Sequence, residues 1–223
     1  MRVLWASLIV IVADQITKVV VTKTLAHSSS TPVIGDWLKL TFTENPGMAF
    51  GVTFGPPALI TVFSIAATVI ILVYAFSIRR GYLPYRFSLA LVLGGAIGNI
   101  IDRVFYGKLL YGQPFFQGKV VDFIHVDLWR GFVNESVPVI GGNYVALFPI
   151  WNVADMAIVL GVVGILVFQR AFHRKAIERH MEDVDVGLRE QGIQPHGDTT
   201  LATEAPMVSP SPPVPPPSSE PSA

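Results

Sequence analysis

Hydrophobic residues in this chain gather into four long stretches separated by more polar connections. The stretches cover about residues 3–21, 58–78, 87–104 and 150–168. Each approaches the roughly 20 apolar residues that a helix needs to cross the hydrocarbon core of a bilayer. The pattern therefore predicts an all-α membrane protein with four transmembrane helices.

The first stretch follows Met1 and Arg2, an arrangement that would also suit a secretory signal peptide. No A-x-A cleavage site follows it, and the apolar pattern resumes after Asp14. We therefore expect this helix to be retained in the protein.

Basic residues predict the orientation of the helices, because lysine and arginine concentrate in cytoplasmic connections. The short second connection and the region after the fourth stretch are both basic; their residues are Arg79, Arg80, Arg86, Arg170, Arg174, Lys175 and Arg179. Both termini are therefore expected in the cytoplasm. The longer connections, about 22–57 and 105–149, would face the extracytoplasmic side.

Those outer connections contain strand signals. Residues 37–43 alternate apolar and polar side chains, Asn45-Pro46-Gly47 marks a turn, and residues 120–129 form a second extended candidate. The pattern favours a small extracytoplasmic β element, with a short ordinary hairpin as the alternative.

Composition narrows the classes of function. Hydrophobic residues make up 51% of the chain and charged residues only 14%, against roughly 25% charged in ordinary soluble domains. The formal net charge is zero, which gives a nucleic-acid partner no basic surface. There is no cysteine, so disulfides and thiolate chemistry are excluded. Residues 171–223 form a tail that is charged and compatible with helix to about residue 190 and then proline-rich, and we expect the proline-rich part to be disordered.

Two aspartates occupy positions where a charge is costly. Asp155 lies inside the fourth apolar stretch, and Asp122 lies within the apolar run 120–124. Intramembrane carboxylates cost a few kcal/mol or more and usually face a protein interior or a wet cavity. The pair therefore suggests acid–base chemistry. No G-x-S-x-G or H-E-x-x-H motif offers another catalytic design, and neither a metal nor another cofactor is expected.

The other polar residues inside the stretches favour structural pairing. Asp14 and Lys18 are four residues apart, the spacing of an intrahelical ion pair. Asn99, Asp102 and Arg103 are expected on one helix face, where Arg103 either pairs with Asp102 or points at a substrate headgroup or carbonyl. Nearby Gly94 and Gly98 would let two helices approach closely.

Five motifs in order make the chain resemble the lipoprotein signal peptidases (signal peptidase II) over about residues 8–168. They are Asp14-Gln15-Ile16-Thr17-Lys18, Glu44-Asn45-Pro46-Gly47-Met48-Ala49-Phe50-Gly51, the run from Gly94 to Arg103, Val120-Val121-Asp122-Phe123 and Asn152-Val153-Ala154-Asp155. An apparent insertion at about 130–144, Met156 in place of a small polar residue, and the proline-rich tail depart from the family pattern.

The resemblance implies an intramembrane aspartyl endopeptidase of the bacterial inner membrane, with its active site on the extracytoplasmic side. Such an enzyme removes signal peptides from diacylglyceryl-modified bacterial prolipoproteins, cleaving before the lipidated cysteine. Its partners would be those substrates and membrane lipids, and the expected oligomeric state is a monomer. The implied roles are catalytic for Asp122 and Asp155; substrate-binding for Asn45, Asn99, Arg103 and Asn152; and structural for Asp14, Lys18 and Asp102.

Two other classes of function stay open from the residues alone. A small proton-coupled transporter or channel subunit could use Asp14, Asp102 and Asp155 as a relay. A structural membrane subunit could use its acids only to pair with Arg103 and Lys18. Against the relay, Asp102, Asp122 and Asp155 gather at one side of the membrane, and no internal repeat is visible.

Overall fold

The computed structural model describes residues 3–47, 56–132, 134–136, 142, 144–146 and 148–191. Motif residues Met48 to Gly51 and the proline-rich part of the tail lie outside the described residues, so the predictions about them stay predictions. The elements, in chain order, are α1 (Leu4–Thr24), β1 (Ser30–Ile34), β2 (Leu38–Asn45), α2 (Pro57–Ser77), α3 (Leu83–Ile101) with a wider π-helical turn at Asp102–Tyr106, α4 (Gly107–Tyr111), β3 (Val120–Val126), β4 (Arg130–Phe132), β5 (Tyr144–Ala146), β6 (Ile150–Trp151) and α5 (Val153–Glu190).

Four helical segments of the described chain are long and apolar enough to cross a membrane: α1, α2, α3 continued through α4, and α5. The outer surface of α2 is formed by apolar side chains that no other described part of the chain covers. Phe63, Ile70 and Val73 are 67%, 69% and 63% exposed, as expected of side chains that meet lipid instead of a protein core. The predicted fold class, a helical membrane protein with a small β element, is confirmed.

The helix ends differ from the limits of the apolar stretches. The fourth apolar stretch ends near residue 168, whereas α5 continues to Glu190. Apolar residues are needed only where the helix crosses the bilayer. Beyond that point the arginine, lysine, glutamate and alanine residues still favour helix. The fourth stretch was expected to begin near residue 150, but Ile150 and Trp151 form strand β6. The chain divides into two compact units after Glu178. The described part of the second unit consists of the end of α5 and Gln191.

The predicted β element is a four-stranded antiparallel sheet in the order β1-β2-β3-β6. Strand β2 corresponds to the predicted segment 37–43, and β3 begins at the predicted residue 120. The pairing of β2 with β3 places Thr43 opposite Asp122. A hydrophobic cluster under the sheet is formed by Val21, Phe42, Tyr106, Val121 and Phe123. This packing attaches the sheet to α1 and to the end of the third span, so β3 is held firmly against the helices.

The predicted small residues of α3 do let helices approach. A Cβ on Gly94 would lie 2.8 Å from the backbone oxygen of Ser7 in α1, and the Ser7 hydroxyl donates to the backbone oxygen of Ala90 at 2.7 Å. A Cβ on Gly98 would lie 2.7 Å from a carboxylate oxygen of Asp14. The close contact of α1 with α3 therefore brings the polar residues of α1 next to the end of α3.

Candidate active site

A cavity of about 370 Å³ opens where β2, β3, the end of α3 and the start of α5 meet. Five of the residues singled out in the sequence line it: Asn45, Asn99, Arg103, Asp122 and Asp155. They come from parts of the chain more than 100 residues apart, so the fold assembles the site. Apolar side chains complete the wall, among them Trp151, Ile158 and Val159.

Asp122 projects from β3 into a nearly dry position and is only 3% exposed. The Asn152 side-chain amide donates to its Oδ1 at 2.6 Å. Burial, and after it the negative charge of Asp155, raises the pKa of Asp122 to about 7, while hydrogen bonds from Asn152 and Asn45 act in the opposite direction. This carboxyl group can therefore exchange a proton near neutral pH.

Asp155 lies in the first turn of α5 and is less buried than Asp122. The Asn99 side chain donates to its Oδ1 at 2.8 Å, and the Asn152 backbone N–H donates to its Oδ2 at 3.3 Å. In return, Asn152 Oδ1 accepts the Asp155 backbone N–H at 2.8 Å. This reciprocal pair is the geometry of a capping box, so the residue that starts the helix also orients the carboxylate.

Asn152 connects the two carboxyl groups and is itself completely buried. Its Nδ2 contacts Asp122 Oδ1 at 2.6 Å, Asn99 Oδ1 at 3.2 Å and the backbone oxygen of Val121 at 3.3 Å. It was expected to line the site, but it lies beneath the cavity wall. Asn152 thus holds the Asp122 carboxyl group through its side chain and the Asp155 carboxyl group through its backbone N–H, so one buried residue orients both.

Beneath these residues lies a buried ionic cluster around Lys18. Its ammonium group contacts Asp14 Oδ2 at 2.8 Å, Asp102 Oδ2 at 2.7 Å and Asn99 Oδ1 at 3.0 Å. Lys18, Asp14 and Asp102 are all fully buried. The three donors of the ammonium group thus have three acceptors, and the intrahelical pair predicted from the Asp14–Lys18 spacing is present.

The same cluster contacts the backbone next to each aspartate of the cavity. Asp14 Oδ1 accepts the N–H of Ala154, the residue before Asp155, at 3.0 Å. Asp102 Oδ2 accepts the N–H of Val121, the residue before Asp122, at 3.1 Å. The cluster therefore positions β3 and the start of α5 together.

The sequence spacing had suggested one face for Asn99, Asp102 and Arg103, but only part of this is seen: Asn99 and Asp102 both contact Lys18, whereas Arg103 does not join them. Asn99 and Arg103 line the cavity, whereas Asp102 turns toward Lys18. Successive residues of a helix point about 100° apart, and residues four apart point only about 40° apart. The adjacent Asp102 and Arg103 therefore diverge, and lysine rather than arginine becomes the partner of the carboxylate.

Arg103 retains donor capacity at the cavity. Its Nη2 donates to the backbone oxygen of Gly47 at 2.5 Å, and Asn45 Oδ1 accepts the Gly47 N–H at 3.0 Å. Its Nη1 is buried and has no hydrogen-bond partner among the described residues. A buried guanidinium with a spare donor beside a cavity is suited to bind a carbonyl oxygen or another acceptor of a ligand.

Sequence reasoning gave no role to Gln15, which the structure places inside the polar cluster. Its Nε2 donates to Asp102 Oδ1 at 3.0 Å, to Asp14 Oδ2 at 3.2 Å and to the backbone oxygen of Gly98 at 3.2 Å. Its Oε1 accepts the Tyr106 hydroxyl at 3.1 Å. The available signal was an amide side chain inside an apolar stretch, next to Asp14.

Comparisons with known proteins show which family the chain is similar to. The family model described as signal peptidase (SPase) II matches residues 6–171. A lipoprotein signal peptidase of Amoebophilus asiaticus is 36% identical over 188 residues, which cover 78% of this chain and 80% of that protein. One from Chlorobium phaeobacteroides is 38% identical over 160 residues, with 72% and 84% covered. A solved structure described as a bacterial membrane enzyme superposes with a TM-score of 0.55 at 26% identity, covering 76% of this chain and 88% of that one.

Proposed function

We propose that this chain, which belongs to the signal peptidase II family, is an aspartic endopeptidase whose catalytic pair is Asp122 and Asp155. As a member of the family it is a multi-pass membrane protease that removes signal peptides from prolipoproteins. The observation that carries the aspartic mechanism is the fully buried Asn152, which hydrogen-bonds to both carboxyl groups at the wall of one cavity.

Two neighbouring carboxyl groups in a dry site resist ionising together, so the pair holds one proton near neutral pH. The raised pKa of Asp122 favours this residue as the holder of the proton. Asp155 is more accessible to water and accepts two N–H hydrogen bonds, which suits the ionised form. In the proposed assignment Asp155 is the base and Asp122 is the acid.

The reaction then needs only water and the two carboxyl groups. Asp155 takes a proton from a water molecule as the water oxygen attacks the scissile carbonyl carbon, and Asp122 donates its proton to the carbonyl oxygen. When the tetrahedral intermediate breaks the C–N bond, the proton on Asp155 passes to the leaving amine, and the hydroxyl proton of the intermediate returns to Asp122. The pair ends the cycle in its starting state, with one peptide bond hydrolysed.

Arg103 and Asn45 are proposed to position the substrate backbone. The spare Nη1 of Arg103 supports a hydrogen bond to a peptide carbonyl next to the scissile bond. Ile158 and Val159 add an apolar wall on α5, and Val159 is 45% exposed. A diacylglyceryl-modified cysteine, the proposed substrate group, can approach such a wall laterally from the bilayer.

The transporter alternative loses its basis in this arrangement. Asp14 and Asp102 are both paired with Lys18, so they are not free to carry protons along a path through the bilayer. The alternative of a purely structural subunit, with its acids paired to Arg103 and Lys18, does not account for Asp122 and Asp155, whose described partners are amide and backbone N–H groups.

The test is cleavage of a synthetic diacylglyceryl prolipoprotein peptide by the purified chain in detergent. Asp122→Asn and Asp155→Asn keep shape but remove the exchangeable proton, so each should lower kcat at least about 100-fold. The losses should not add in the double variant, because neither carboxyl group works alone.

Asp127→Asn is the matched control, since Asp127 directly follows β3, the strand that carries Asp122, but pairs with Lys39 and Arg130. Its kcat should stay near wild type, and chelators should leave the wild type active. Substantial turnover by Asp122→Asn or Asp155→Asn would rule out the aspartate pair.

A further inference from the structure

A second cavity, of about 270 Å³, lies between α1, α2 and α3 at the other end of the helices. Its floor consists of the α3 residues Leu89, Ala90 and Leu93, which are 5%, 2% and 1% exposed. Apolar side chains of α1 and α2 form the walls, namely Leu4, Leu72, Ala75 and Phe76. We call this cavity the arginine-rimmed cleft, because three arginines complete its lining.

The rim consists of Arg79 and Arg80 after α2 and Arg86 in the first turns of α3. Neither Arg79 nor Arg86 forms an ion pair within the described part of the chain. Basic residues of the sheet region behave differently, since Lys39 and Lys119 pair with Asp127 and Glu44. The cleft therefore combines an apolar interior with two arginines, Arg79 and Arg86, that form no ion pair with a described acid.

We propose that the arginine-rimmed cleft binds one anionic phospholipid of the adjacent leaflet. Guanidinium groups match phosphate oxygens with paired N–H donors, and basic pockets between transmembrane helices bind anionic headgroups. The cleft has room for roughly nine groups the size of a water molecule, enough for a segment of one acyl chain. The general concentration of arginine near cytoplasmic membrane ends explains the charge, but it does not explain an apolar cavity beneath that charge.

The cleft is separate from the active site. Arg86 and Asn99 are 13 residues apart on one helix, which corresponds to about 20 Å along its axis. A lipid in the cleft touches α1, α2 and α3 together, so it stabilises the folded chain by binding it and not the unfolded chain. The proposal does not depend on which residues perform catalysis.

The experiment measures lipid binding to the full chain in detergent by native mass spectrometry, with thermal unfolding as a second measurement. Phosphatidylglycerol and phosphatidylcholine with identical acyl chains are compared. Wild type should prefer phosphatidylglycerol on the order of tenfold, as two arginines near an anionic headgroup predict. Inorganic phosphate at the same concentration should give no thermal shift, because it lacks the chain that the cleft accommodates.

The variant Arg79→Gln/Arg86→Gln should lose the preference between the two lipids. The matched control is Arg170→Gln/Arg174→Gln, which removes the same charge from residues that do not line the cleft, and it should keep the preference. Ala75→Leu fills the cleft while leaving its arginines in place, and it should weaken binding of phosphatidylglycerol even if the double arginine variant fails to fold. Equal binding of both lipids by wild type, or equal loss of preference in the control, would overturn the proposal.

Discussion

At the residue scale, burial of Asp122 makes the folded chain less stable when this carboxyl group is ionised. The group is 3% exposed, and burial raises its pKa to about 7. In the unfolded chain an aspartate titrates near 3.9, so between about pH 4 and pH 7 the folded state binds a proton that the unfolded state releases. The contribution of Asp122 to stability is therefore fully present below about pH 4 and is lost as the pH rises through 7.

Asp122→Asn should consequently raise the thermal stability of the purified chain at pH 8 by a few degrees, and much less at pH 5. The amide keeps the shape of the side chain but never ionises in the dry site. Thermal unfolding in detergent at the two pH values measures the difference.

Asp127→Asn provides a control of opposite sign. A hydrogen bond from Lys39 lowers the pKa of Asp127, so its contribution to stability is present at neutral pH and is lost under acid conditions. Asp127→Asn should therefore destabilise at pH 8, and the effect should shrink as the pH falls below about 4. For Asp122→Asn, an equal change in unfolding temperature at pH 5 and pH 8 would contradict the prediction that the ionised form of Asp122 destabilises the folded chain.

At the scale of elements, α1 acts as the support that joins β3 to α5. Its Asp14 accepts the Ala154 N–H at the start of α5, and its Lys18 binds Asp102, which accepts the Val121 N–H of β3. The π-helical turn that begins at Asp102 follows α3 directly, and such turns often occur at functional sites. The geometry of the aspartate pair therefore depends on a buried ionic cluster that belongs to other elements.

Lys18→Met should strongly reduce the amount of folded protein, because it leaves two buried carboxylates without their cation, at a cost of about 3–5 kcal/mol. Replacing all three charges in Lys18→Met/Asp14→Asn/Asp102→Asn should recover part of the loss, since coupled residues are not additive. Membrane protein level and the unfolding temperature measure both variants. If the triple variant is no more stable than Lys18→Met, the loss in Lys18→Met does not come from the two unpaired carboxylates.

At the scale of the whole molecule, the proposed catalytic cavity and the arginine-rimmed cleft lie at opposite ends of α3. The short connection between α2 and α3 carries the basic residues that favour the cytoplasm. The proposed orientation has both termini inside and the catalytic cavity on the extracytoplasmic side, where an exported prolipoprotein arrives.

Reporter fusions test this orientation directly. Fusions at Gly81 and after Arg174 should report the cytoplasm, and a fusion at Gly141 should report the extracytoplasmic side, because positive charge retains the short connections inside. Activity of an alkaline phosphatase reporter, which folds only outside, gives the measurement. A cytoplasmic reading at Gly141 would place the aspartate pair on the wrong side for its substrates.

Much of the fold, and most of the polar residues that line the proposed catalytic cavity, could be predicted from the sequence. Four spans follow from the length of apolar stretches, and β2 follows from alternation, because both properties are local. Asp122 and Asp155 stand out because a carboxylate among apolar residues is too costly to be incidental. The predicted polar residues Asn45, Asn99 and Arg103 do line the same cavity as these aspartates.

Only the tertiary structure decided which polar groups become partners. Asp102 pairs with Lys18 instead of its neighbour Arg103, and Asn152 lies below the cavity as a helix cap and a bridge. Gln15 and Lys18 reach partners more than 80 positions away, and Asp14 contacts Ala154 across 140 positions. Such contacts depend on how closely the helices pack and how each is rotated, which local patterns do not contain. The sequence alone determined which charged and polar residues lie in apolar segments, where an unpaired group is energetically costly. Packing determined what each of them binds.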